Sequence, residues 1–126
     1  MKRVLYPTLA EVLELHRVLI ERFGGEAGVR DLGLLQSALV RPQTGYYESL
    51  SLQGAALLQS LILNHAFLDG NKRVGIATTL IFFRMNGYRM KIDTDEAESF
   101  LLDELIRKKV ELGEVSRWIE KHLKEI

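Results

Sequence analysis

Apolar residues recur along the N-terminal third of the chain at the three- and four-residue spacing of an amphipathic helix. The first such stretch covers residues 9–23; Thr8 can cap its beginning, and Gly24 followed by Gly25 can end it. A second, shorter stretch follows Asp31, another side chain suited to a helix N-terminus, and ends before Pro42 because proline cannot continue a helix. The pattern predicts two helices that each bury one face.

The middle of the chain is apolar at almost every position of its two predicted helices. The third helix is expected over residues 51–67 and the fourth over residues 71–86, separated by the short break Leu68-Asp69-Gly70. A helix that is apolar all round is buried in the core of a protein. We therefore expect a buried central pair of helices joined by a tight turn.

The remaining pattern indicates extended backbone at residues 88–92, a fifth helix that begins at Thr94 or Asp95 and reaches residue 110, and a sixth over residues 114–124. There is no internal repeat, low-complexity segment or flexible linker. A chain of 126 residues suits one compact core. The prediction is an all-α fold, a compact six-helix bundle in a single domain covering residues 1–126.

The composition of the chain argues against several classes of function. The 17 basic and 17 acidic residues balance, which argues against broad neutralisation of nucleic-acid phosphates. No apolar run is long enough for a membrane span or a signal peptide, and there is no cysteine for thiol chemistry or metal binding. We expect a cytoplasmic protein. The one basic segment is residues 69–91, with five bases against one acid, and it begins at the predicted central turn.

That turn, His65-Ala66-Phe67-Leu68-Asp69-Gly70-Asn71-Lys72-Arg73, has the composition of an anion site. The N-terminus of a helix offers unpaired N–H groups and a positive dipole, and Gly70 lets a ligand approach the backbone. Lys72 and Arg73 stand where the dipole disfavours cations, and a bound polyphosphate would compensate them. The alternative is that both side chains simply extend into solvent.

The other polar residues of the turn suit phosphoryl chemistry. Asp69 can bind magnesium beside substrate phosphates, or it can merely cap the fourth helix. Asn71 can orient a phosphate or cap the helix, and His65 can accept a proton from an attacking hydroxyl, although a lone histidine at a helix end is usually a packing or surface residue. Phe67 is expected to be a core anchor. His16 and His122 lack such neighbours, and we assign them no role in the chemistry.

The string from His65 to Arg73 resembles the signature of the Fic/Doc family in the form typical of Doc-type toxins of toxin–antitoxin systems (death on curing). The segments Gly28-Val29-Arg30-Asp31, Leu34-Leu35-Gln36-Ser37-Ala38-Leu39 and Arg84-Met85-Asn86-Gly87 also resemble Doc-type chains. The resemblance implies a kinase that transfers the γ-phosphate of ATP to a threonine of elongation factor Tu and halts translation. By it, His65 is the general base, Asp69 the Mg²⁺ ligand, and Gly70, Asn71, Lys72 and Arg73 the phosphate-binding residues.

Three positions depart from the wider Fic pattern H-P-F-x-D/E-G-N-G-R-x-x-R, whose members transfer AMP. Ala66 replaces the proline, Lys72 the second glycine and Ile76 the second arginine. Lys72 would close the approach of an α-phosphate to the backbone. Doc-type toxins are similar to this chain at all three positions, so AMP transfer is the alternative rather than the first hypothesis.

Two further alternatives belong to other classes. A helix-turn-helix DNA-binding module requires a polar recognition helix, and the predicted fourth helix has almost no polar face. A non-enzymatic helical binding module would have little reason to keep His65, Asp69 and Arg73 together. The resemblance also implies a cognate antitoxin whose tail lies in a surface groove. The chain has no convincing S/T-x-x-x-E-G/N inhibitory helix of its own; residues 94–99 are a near miss.

Overall fold

The structure is a computed structural model that describes residues 3–126, apart from the side chains of Thr94 and Leu102. Over these residues it is mostly α-helical, with six α-helices and one small two-stranded sheet. The helices are α1 (Leu9–Phe23), α2 (Leu32–Val40), α3 (Leu50–Leu63), α4 (Asn71–Met85), α5 (Thr94–Phe100) and α6 (Leu112–His122). A 3₁₀ turn, Arg41–Gln43, follows α2, and a π-helical segment, Leu101–Arg107, continues α5. The all-α prediction is confirmed in this mostly-α form.

Local signals set the beginnings of the helices. Thr8 and Glu11 form a reciprocal capping box at α1, and the Asp31 carboxylate accepts a hydrogen bond from the N–H of Leu34 at α2, as predicted. The predicted start of α3 at Ser51 was too late, since Ser49 provides the cap. Helix α5 begins at Thr94, as predicted, and its cap is Asp93, whose side chain accepts from the N–H of Asp95.

The C-terminal end of the chain differs from the prediction. Helix α6 ends at His122, and the backbone then extends as β2 (Leu123–Glu125), which pairs antiparallel with β1 (Tyr88–Met90). The prediction that the sixth helix reaches Lys124 was therefore wrong. The cross-strand hydrogen bonds replace the last helical turn, since the N–H of Lys91 bonds to the carbonyl of His122.

The central helix pair positions the candidate site. The core is made mainly of buried side chains from α2, α3, α4 and α6, among them Leu35, Leu57, Leu61, Phe82 and Ile119. Helices α3 and α4 approach closely at Gly75, where an added Cβ would lie 2.8 Å from Cγ1 of Ile62. Close packing of this kind leaves little freedom in how the two helices cross, so the loop between them is held at a fixed place. No helix in the described part of the chain is long and apolar enough to cross a membrane.

Candidate functional site

The loop between α3 and α4 leaves the helical path earlier than predicted. Helix α3 ends at Leu63, not at Phe67, and Phe67 forms an antiparallel bridge with Val29. The carbonyl of Ala66 accepts hydrogen bonds from the N–H groups of Arg30 (2.7 Å) and Asp31 (2.9 Å). These bonds to a distant segment replace the helical bonds that the apolar pattern predicted. His65 consequently lies in the loop rather than at the end of a helix.

Phe67 anchors this loop in the core. Its side chain is 2% exposed and stacks on the ring of His16 of α1, with 3.8 Å between ring centroids and 11° between planes. Nε2 of His16 lies 2.8 Å from the backbone carbonyl oxygen of Asp69. A carbonyl oxygen can only accept, so Nε2 carries the proton. His16, to which the sequence interpretation gave no role, therefore fixes both the aromatic anchor and the backbone at Asp69.

Asn71 holds the same loop from the other side. Its Oδ1 accepts a hydrogen bond from the N–H of Phe67, and its Nδ2 donates to the carbonyl of Phe67, both at 3.0 Å. The amide thus binds both backbone groups of one residue. In this conformation the side chain shapes the loop and does not cap α4. The other role that the sequence offered, a contact with a phosphate, stays a prediction.

Asp69 presents an ionised carboxylate at the surface. Its Oδ2 accepts from the N–H of Glu26 at 3.2 Å, and its Oδ1 accepts from the N–H of Gly70 at 2.8 Å. These two N–H groups, with a smaller effect from the positive charge of Arg73, lower the pKa of the Asp69 carboxyl. The N-cap of α4 is Gly70, and no side chain caps the helix. The alternative that Asp69 merely caps the fourth helix is therefore wrong.

The start of α4 has the geometry of an anion site. Gly70 adopts a left-handed conformation with a φ of 77°, which a residue with a Cβ rarely adopts. The first intrahelical bond runs from the N–H of Val74 to the carbonyl of Gly70. The N–H groups of residues 71–73 accordingly have no acceptor in the described part of the protein. Three adjacent donors at the positive end of a helix suit a phosphate.

The two cations of this helix start differ in their surroundings. Lys72 is exposed and makes no ion pair within the described residues. The guanidinium of Arg73 stacks over the ring of Phe23, with its Cζ 4.5 Å from the ring centroid. Phe23 is 57% exposed, although the sequence pattern placed it on the apolar face of α1. The Phe23 ring holds Arg73 beside Asp69, and the guanidinium keeps its positive charge.

His65 is exposed, and its imidazole makes no hydrogen bond within the described residues. Its ring nitrogens are therefore available to a substrate, as a proton acceptor requires. Its backbone has a φ of 51°, in the left-handed region. The guanidinium of Arg30 donates to the carbonyl oxygens of Asn64 and His65, a contact that sequence reasoning missed.

The residues of the site fit a magnesium ion that arrives with phosphates. No group of three or more potential ligands among histidine, aspartate and glutamate occurs in the described part of the chain. Asp69 is a single exposed carboxylate beside the helix N-terminus. Magnesium is commonly bound through one or two carboxylates together with substrate phosphates. The arrangement suits that mode rather than a cage made by the protein alone.

A small apolar cleft lies elsewhere, lined by residues of α3, α4, β1, α5, α6 and the segments that follow β1 and α5. None of residues 65–73 lines it, and its lining includes no charged side chain. Such a cleft offers nothing to neutralise phosphates. The loop before α4 is therefore the better candidate for chemistry.

Comparison with known proteins agrees with this choice of site. Residues 6–83 match the family described as the Fic/DOC family. The chain is 44% identical to Toxin Doc of Mycolicibacterium smegmatis, over 75% of this chain and 77% of that protein. It is 33% identical to Protein kinase doc of Escherichia phage P1, over 64% of this chain and 67% of that protein. The region matched to the family contains the whole loop and the start of α4.

Proposed function

This chain belongs to the Fic/DOC family, and we propose that it is a Doc-type toxin that transfers the γ-phosphate of ATP to a threonine hydroxyl of elongation factor Tu, halting translation. The observation that carries this proposal is the loop between α3 and α4. Within nine residues it combines a free imidazole, an ionised carboxylate and a helix N-terminus that bears two cations. Two relatives, one named as a toxin and the other as a protein kinase, also support this proposal.

In the proposed reaction, His65 accepts the proton of the threonine hydroxyl. The hydroxyl oxygen forms a bond to the γ-phosphorus, the bond from that phosphorus to the bridging oxygen breaks, and ADP leaves with that oxygen. The N–H groups of residues 71–73, with Lys72 and Arg73, bind the phosphate oxygens. Such a transfer depends mainly on positioning and on neutralising charge. A short loop held by His16 and Asn71 can supply both.

Magnesium, when bound at Asp69, would neutralise phosphate charge. Asp69 suits this role because its carboxylate is ionised in the neutral range, and the lowered pKa extends this into weak acid. The loop offers few acidic groups to a metal ion on its own, and the positive charges of Lys72 and Arg73 repel such an ion. The same charges attract a polyphosphate. The metal and the nucleotide are therefore proposed to bind together.

Control of the toxin is proposed to come from a separate antitoxin whose tail occupies a surface groove. The relative from Mycolicibacterium smegmatis is named as a toxin, and the chain has no convincing inhibitory helix in its own sequence. A segment bound beside the start of α4 would compete with the nucleotide. No nucleic acid is part of this proposal.

Lys72 separates kinase activity from AMP transfer, the second candidate within the same family. We expect Lys72→Gly to lower γ-phosphate transfer roughly 10- to 100-fold, since a charge-assisted hydrogen bond contributes about 1.5–3 kcal/mol. The glycine would also open the backbone to an α-phosphate, and a trace of AMP transfer could follow. Ile76 limits that gain because it stands where AMP-transferring relatives have a second arginine. The measurement is label transfer to elongation factor Tu from ATP labelled on either phosphate.

Lys72→Ala is the matched control. It removes the same cation but keeps a Cβ, so it should lose γ-transfer and gain no AMP transfer. Lys72 is exposed, and neither variant should lower the free energy of unfolding by more than a glycine in a helix costs, about 1 kcal/mol. Full γ-transfer by both variants would show that Lys72 does not bind the nucleotide.

A further inference from the structure

The candidate base His65 is held in an unusual backbone conformation. Its φ of 51° lies in the left-handed region, where the Cβ of an L-residue crowds its own backbone. Only a few per cent of non-glycine residues adopt this region. Histidine is enriched there together with asparagine and aspartate, but the conformation still costs free energy that the surrounding contacts have to offset. The imidazole itself is exposed and unbonded within the described residues. The enforcing contacts must therefore act on the backbone.

Arg30 supplies those contacts. Its Nε donates to the carbonyl of His65 at 2.6 Å, and its Nη2 donates to the carbonyl of Asn64 at 3.1 Å. Its own backbone N–H donates to the carbonyl of Ala66 at 2.7 Å. One residue thus binds three successive carbonyl oxygens of the loop.

The planar shape and the positive charge of the arginine side chain both suit this role. The planar guanidinium presents two N–H groups side by side, which a lysine ammonium cannot do with the same geometry. The carbonyls it binds lie just beyond the C-terminus of α3, where the helix dipole favours a cation and where carbonyl groups lack helical partners. Arg30 is exposed, so its side chain contributes little apolar burial to the core.

We infer that Arg30 is a positioning residue that holds His65 where the imidazole can reach the substrate hydroxyl. This inference rests on the proposed function, in which His65 is the base. The backbone N–H of Asp31 and the bridge between Val29 and Phe67 secure the neighbouring residues. The Arg30 side chain alone binds the carbonyl of His65 within the described contacts.

The test is the variant Arg30→Ala, with Arg107→Ala as a matched control. Arg107 is also exposed, and its guanidinium pairs only with Asp103, one turn earlier in its own helical segment. For Arg30→Ala we expect kcat for γ-phosphate transfer to fall up to roughly 10²-fold, the cost of misplacing a reacting group by about 1 Å. The KM for ATP should stay unchanged because Arg30 touches no phosphate-binding residue. Arg107→Ala should keep the native kcat, and millimolar guanidinium should restore part of the kcat that Arg30→Ala loses.

Hydrogen exchange provides a readout that does not depend on activity. Exchange in a peptide covering residues 64–70 should speed up in Arg30→Ala, while exchange within α3 and the melting temperature should stay close to those of the native protein. Unchanged kcat together with unchanged exchange would overturn the inference. A fall in activity through KM alone, without rescue by guanidinium, would also overturn it.

These outcomes differ from a failure of the proposed function. If the native protein and Arg107→Ala transfer no γ-phosphate, the kinase proposal is wrong. The exchange measurement then still decides whether Arg30 holds the loop at His65.

Discussion

Replacing His65 with alanine should lower the rate of γ-phosphate transfer to elongation factor Tu by about 10²- to 10⁴-fold, the usual contribution of a general base. The imidazole is exposed and makes no hydrogen bond within the described residues, so its removal leaves no buried group unpaired. ATP should bind as before, because the base acts on the hydroxyl and not on the nucleotide. The measurements are single-turnover transfer and calorimetric titration with the magnesium complex of ADP.

His65→Asn is the matched variant, because the backbone of His65 has a positive φ. Asparagine adopts that conformation more readily than alanine does, so it removes the base with less strain on the loop. Both variants should lose transfer equally, and His65→Asn should keep the native melting temperature. If His65→Asn transferred phosphate at the native rate, His65 would be a loop residue and the proposed mechanism would be wrong.

Replacing Asp69 with asparagine should lower magnesium-dependent transfer by at least roughly tenfold, which is what a metal site loses even when an outer-shell partner is removed. The native carboxylate is ionised at neutral pH, and its lowered pKa keeps it ionised in weak acid as well. The substitution therefore removes a full negative charge. Titration of the rate with magnesium should show a weaker apparent affinity. A higher magnesium concentration should recover part of the rate.

The fold should tolerate this substitution. An asparagine Oδ1 can still accept one of the two backbone N–H bonds that Asp69 accepts from Glu26 and Gly70. Asp69 is exposed, and its replacement creates no cavity. Asp103→Asn, at an exposed carboxylate paired with Arg107, is the control for loss of charge. An unaltered magnesium dependence in Asp69→Asn would remove Asp69 from the metal site.

The features that the sequence predicted well depend on neighbouring residues. The caps at Thr8 and Asp31 bond to N–H groups three residues away, so local chemistry alone determines them. The burial of the central helices follows from their apolar composition, which is also visible locally. The break between the two apolar stretches is also visible locally, so the sequence alone placed residues 65–73 at a turn before a helix N-terminus.

The features that it missed depend on contacts between distant parts of the chain. Helix α3 ends at Leu63 because residues 28–31 bond to the loop that follows it. Strand β2 exists because it pairs with β1, more than thirty residues earlier. Neither contact can be recognised from the local hydrophobic pattern, which in both places is still that of a helix.

The roles of two polar residues were missed for a related reason. His16 occupies a position on the buried face of α1, and its partner, the carbonyl of Asp69, is 53 residues away. Its location on an apolar face was the one available signal, since a buried histidine needs a hydrogen-bond partner. For Asn71 the sequence offered a phosphate contact or a helix cap, and the phosphate contact stays a prediction. The bonds of its amide to the backbone of Phe67 are an additional role that no spacing rule would reveal.

The most direct test of the central claim is which phosphate of ATP the native protein transfers. The protein is incubated with magnesium, elongation factor Tu and ATP labelled on either the α- or the γ-phosphate, and the modified protein is recovered and its label counted. We expect γ-label on a threonine of elongation factor Tu and no α-label. Label from the α-phosphate would contradict the kinase assignment and establish AMP transfer, and the absence of both labels would contradict elongation factor Tu as the substrate.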